Sequence, residues 1–94
     1  MDDVDKQRDA VLRTFFAEDG RLVSIPAKMG KRRHVLEQIA FAFEPGVKYT
    51  ELQVNAILRA FYDDYVALRR YLIDAGLLDR DRGLYWRTGG YVDV

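Results

Sequence analysis

The side chains most able to do chemistry in this chain are its cations, and their spacing points to phosphate rather than to a reaction. A protein that reads duplex DNA draws much of its affinity from neutralising backbone phosphates. The densest basic run is Lys31, Arg32, Arg33, and Arg70, Arg80 and Arg82 form a second, scattered set. Catalytic residue types are sparse by comparison. His34 is the single histidine and Ser24 the single serine, so a Ser-His-Asp arrangement has only one imidazole to draw on. Gly30 and Lys31 look like the end of a phosphate loop, but Ile25 stands where its first glycine belongs and Arg32 where its Ser/Thr belongs. The acid pair Asp63, Asp64 suits helix capping better than general acid/base work. With no cysteine, a zinc site would need His34 and carboxylates alone. The expectation is therefore a protein that is not an enzyme, with no catalytic residues, no metal and no cofactor.

Composition bounds the setting of these residues. The chain has 94 residues, 15 Lys+Arg against 15 Asp+Glu, 49% hydrophobic and 32% charged residues. That is one domain, too apolar and too near neutrality for disorder. No apolar stretch approaches the roughly 18 residues of a membrane span. The acidic start, Met1, Asp2, Asp3, Val4, Asp5, is unlike the basic start of a signal peptide. Absence of cysteine fits a cytoplasmic protein.

The elements that must position the cations follow from periodicity. Val11, Leu12, Phe15 and Phe16 form one stripe of a helix over residues 4–16, capped by Asp2 or Asp3 and stopped by Gly20. Residues 21–25 read as a short strand closed by Pro26. A second helix is predicted over 31–44, with Val35, Leu36, Ile39, Ala40 and Phe43 on its inner face and Phe41 on its back. Its covering layer is either the N-terminal helix, through Val11 and Phe15, or a second copy of the chain. Thr50 and Gln53 form a capping box before a third helix carrying Val54, Ile57, Leu58 and Phe61. A fourth starts at Asp63 or Asp64, buries Leu68 and Leu72, and ends at Gly76. Residues 77–87 then read as a hairpin turning at Asp81, Arg82, Gly83.

From 31 to 87 the order is helix, short extended piece, helix, tight turn, helix, strand, turn, strand. That is a winged helix-turn-helix core, so the expected fold class is α+β, mainly helical. Residues 1–30 add an N-terminal helix and short strand packing on that core, and 88–94 form a tail that is loose by composition.

Three blocks of residues also carry a family resemblance. The first is Phe15, Phe16 with Asp19, Gly20, Arg21, Leu22 and Ile25, Pro26, Ala27, Lys28; the second is Tyr49, Thr50, Glu51 with Val54, Asn55, Ile57, Leu58. The third is Asp64, Leu68 to Leu72, Gly76, Leu77, Arg80 and Tyr85, Trp86, Arg87. Across residues 15–87 the chain resembles a bacterial domain-of-unknown-function family, found alone or appended to winged-helix repressors of the arsenical-resistance-regulator type. The resemblance implies a winged-helix-like fold and a link to transcriptional regulation. It brings no activity and no functional residues.

Charge weighs on both sides of a DNA reading. Residues 31–87 hold ten Lys/Arg against eight Asp/Glu, a net of +2. On the fourth helix Asp63, Ala67, Arg70 and Asp74 face outward, and Arg70 is the one good base-reading side chain there. Two carboxylates at the end that normally leads into the major groove have the wrong sign for phosphate. Arg69 lies nearer the core edge, placed to pair with an acid and cover apolar surface with its stem. Three cations at a helix start oppose its dipole, which suits either a phosphate beside Lys31, Arg32 and Arg33, the acidic N-terminal segment, or simple solvation. Two readings stand. One is a transcription-regulatory domain binding duplex DNA as a dimer, with Arg70 at the groove and Lys31, Arg32, Arg33, Arg80 and Arg82 near phosphates. The other is a protein-interaction or dimerisation module without DNA binding, joined through Phe41, Val11 and Phe15.

Overall fold

The computed structural model describes residues 3–88, in the order α1 (Asp3–Phe15), α2 (Met29–Ala40), β1 (Lys48–Thr50), α3 (Glu51–Arg59), α4 (Tyr65–Asp74), β2 (Leu78–Asp81) and β3 (Leu84–Arg87). The strands form one antiparallel sheet in the order β1-β3-β2. α3 and α4 are the helix-turn-helix, β2 and β3 the wing, and β1 closes the sheet from the far side of β3. This is a winged-helix-like α+β fold. Asp2 and residues 89–94, which include most of the expected tail, lie outside the described residues.

Local chemistry sets most boundaries. The Thr50 hydroxyl accepts from the Gln53 amide while the Gln53 side chain accepts from the Thr50 amide, completing the capping box of α3. Asp64 caps α4 by accepting from the Ala67 amide at 3.1 Å. Each such cap stabilises its helix by about 1 kcal/mol. α4 ends in a Schellman motif: the Leu77 amide reaches the Leu72 carbonyl, the Gly76 amide reaches that of Ile73, and Gly76 takes φ of 74°. In the wing, Asp81 pairs with Leu84 across Arg82 and Gly83. Both turn residues have positive φ, 53° and 81°, as a two-residue type I′ turn requires.

The core lies between α2, α3, α4 and the inner face of the sheet. Val35, Ile39, Phe43, Val54, Leu58 and Leu68 have no exposed surface, and replacing such a leucine by alanine costs about 2–5 kcal/mol. Tyr85 belongs to this interior, whereas its neighbour Trp86 sits on the opposite face of β3 beneath the Lys48 ammonium. α1 packs against α2 through Val11, which is buried in the same core.

Two expectations are corrected. α2 runs over Met29–Ala40, starting two residues before and ending four residues before the predicted 31–44. Its last turn tightens, with the amides of Phe41, Ala42 and Phe43 bonding three residues back, and Pro45 disfavours helical geometry at Glu44. Residues 21–25 form no strand. Phe16 and Leu22 make an isolated bridge, the Leu22 amide bonds to the Phe61 carbonyl, and the Val23 amide to that of Phe15. Successive amides thus bond in two separate places, so no continuous ladder forms.

Candidate nucleic-acid interface

The exposed side of α4 and the adjacent strand β2 enclose a cleft of about 280 Å³ lined by Val66, Arg69, Arg70, Ile73, Asp74 and Arg80. Arg70 is exposed and has no hydrogen bond or ion pair among the described residues. Arg80 donates from Nη1 to the Tyr85 hydroxyl at 3.5 Å, and that hydroxyl donates to Glu51 Oε1 at 3.1 Å. The hydrogen bond to Tyr85, with a smaller contribution from the Glu51 carboxylate, raises the pKa of the Arg80 guanidinium. Arg69 sits deeper. It donates to Asn55 Oδ1 and lies 3.8 Å from Glu51 Oε2. Glu51 therefore faces Arg69 of α4 with one oxygen and Tyr85 of β3 with the other, joining the helix-turn-helix to the wing. Arg82 stands at the wing turn, exposed, with Asp81 3.9 Å away.

The basic run on α2 is arranged differently. Arg32 donates to the carbonyls of Ala27 at 3.0 Å and Pro26 at 3.4 Å, and its guanidinium lies 4.6 Å from the centre of the Tyr71 ring. Arg33 pairs with Glu37 at 2.9 Å and donates to the Ala75 carbonyl at 2.8 Å. That carbonyl is at the C-terminal end of α4, where a cation suits both the open acceptor and the dipole. The run thus ties α2 to the preceding loop and to α4. Lys31 alone of the three is exposed without a hydrogen bond or ion pair among the described residues.

Arg21 is a structural cation that periodicity gives no reason to single out. It donates to the carbonyls of Arg59 and Ala60 at the end of α3, at 3.1 and 3.0 Å, and to Asp63 at 3.1 Å. In the sequence it stands out only by following Gly20 and by belonging to the first block of the family resemblance, which attaches no role to it. Because Asp63 is engaged by Arg21 and Asp64 by the backbone of α4, both carboxylates at the start of that helix have local partners. Asp63 remains almost wholly exposed, so the ion pair offsets its field only in part.

Of the remaining candidates, Val11 is buried and Phe15 half-buried within the protomer, which leaves Val11 no surface for a second copy. Phe41 is 66% exposed, with the Arg87 guanidinium 5.0 Å from its ring centre. His34 is half-buried, and its Nδ1 has no hydrogen-bond partner among the described residues. No described helix is long and apolar enough to cross a membrane.

No curated protein and no solved structure matches the chain. Residues 21–87 match the family described as "Uncharacterized protein conserved in bacteria (DUF2087)", a span that holds both helices of the helix-turn-helix, all three strands and every arginine of the cleft. With most of its length inside that match, the chain belongs to this bacterial family.

Proposed function

We propose that this protein is a transcription-regulatory domain that binds duplex DNA through α4 and the wing. It is a binding domain rather than an enzyme, and acts in the cytoplasm. The observation that carries the reading is the gathering of Arg70 and Arg80 on one cleft between α4 and β2. These are the two elements that a winged helix presents to a duplex, one to the groove and one to the backbone. Arg70 projects from α4 without a hydrogen bond or ion pair among the described residues, available to the duplex, and Arg82 extends the basic surface to the wing turn. The local partners of Asp63 and Asp64 lessen the objection raised by acids at the start of α4. Arg32 and Arg33 are spent on internal contacts and are left out of the proposed interface.

Fluorescence anisotropy against a mixed-sequence duplex, titrated from low to physiological salt, tests the reading. Binding is expected to weaken steeply as salt rises. No binding even at low salt would remove it.

The 66% exposure of Phe41 favours a second reading, a protein-interaction surface just past the end of α2. With Val11 buried, a homodimer on this face would centre on Phe41. Phe41→Glu would then convert a dimer into a folded monomer by light scattering, and an unchanged mass would exclude that dimer.

A further inference from the structure

We propose that the cleft between α4 and β2 is a seat for a single phosphodiester group, held by Arg70 and Arg80 above the deeper charge of Arg69. The inference deepens the duplex-DNA reading and rests on it for the source of the phosphate. Three features carry it. First, the arginines arrive from two elements of different kinds, so their convergence follows from the docking of α4 on β2 rather than from adjacency in the chain. Second, donors remain free. A guanidinium has five N–H groups; Arg80 commits Nη1 to Tyr85, and Arg70 commits none among the described residues. Third, the charge fits a monoanion. Three arginines stand against Asp74 in the lining and Glu51 behind Arg69, leaving a net of one positive charge. That balance suits a phosphodiester, which carries one negative charge, better than a terminal phosphate carrying two. Val66 and Ile73 supply apolar wall, which strengthens the field of the arginines in the cleft. At about 280 Å³ the cleft has room for a phosphate group together with water, each water occupying about 30 Å³.

Amide-resolved NMR of the full chain tests this, with dimethyl phosphate as the probe and sodium chloride at matched ionic strength as the control. The amides of Arg70, Ile73 and Arg80 are expected to shift saturably with dimethyl phosphate and not with chloride. Arg80→Ala should abolish the response and Arg13→Ala, on the exposed side of α1, should leave it intact. If Arg80→Ala does not fold, Arg70→Ala takes its place. Shifts equal to those in chloride, or undiminished in the folded variant, overturn the seat.

A duplex arm separates this inference from the reading beneath it. A duplex that displaces dimethyl phosphate, with a salt slope about one unit shallower in Arg80→Ala, supports both. Salt-dependent duplex binding with no dimethyl phosphate response removes the seat and leaves the DNA reading. Saturable dimethyl phosphate binding with no duplex binding removes the DNA reading and leaves the seat.

Discussion

Two basic regions of this molecule invert what their sequences suggest. Lys31, Arg32 and Arg33 are consecutive, yet two of the three are committed to carbonyls, a carboxylate and a tyrosine ring within the protomer. Arg70 and Arg80 are separated by a helix end and a loop, yet they line one cleft, and Arg70 has no internal partner among the described residues. A cation's availability depends on what the fold puts beside it rather than on the local density of charge. Arg33 shows the reason. The C-terminal end of α4 presents carbonyls that α4 itself leaves unpaired, and a guanidinium on α2 is within reach.

The largest expected effect is on the open region. Replacing both Arg70 and Arg80 by alanine should lower duplex affinity on the order of 100-fold, from the loss of two charge-assisted contacts to one phosphate at about 1.5 kcal/mol each. Circular dichroism should show the fold retained, and anisotropy at fixed salt reads the loss. Affinity within a few-fold of the wild type would end the contrast between the regions.

Arg33→Ala should act on stability instead. Losing the bond to the Ala75 carbonyl and the half-exposed pair with Glu37 should cost about 1–2 kcal/mol in urea unfolding. The salt slope of duplex binding should not change. A shallower slope would return Arg33 to the interface. The smallest effect is expected for Lys31→Ala, within about 0.5 kcal/mol in stability, since the side chain is exposed and without an ion pair among the described residues. Its duplex affinity should match the wild type, and a measurable loss would show that this end of α2 also approaches the backbone.

Much of the fold was legible because its signals are local. Thr50 and Gln53 lie three residues apart and cap each other whatever surrounds them. The same holds for Gly76 at the end of α4 and for Arg82 and Gly83 in the wing turn. The placement of Arg69 was also readable, because its angle on α4 puts it at the core edge, where it meets Asn55 and Glu51. Residues 21–25 misled for the complementary reason. Their alternation has the period of a strand, but a strand needs a neighbour with a continuous row of free carbonyls, and Leu22 and Val23 find single carbonyls in two separate places, the turn after α3 and the end of α1.

The amino-acid sequence by itself determined the presence and order of the helices, the caps of α3 and α4, the hairpin and the apolar faces, because each follows from interactions within a few residues along the chain. Only the tertiary structure decided which cations are open. Arg21 capping α3, Arg33 capping α4 and the meeting of Arg70 with Arg80 all join residues at least ten apart. A charged side chain acts on whatever lies within a few ångströms of it, and at those separations folding alone sets the neighbours.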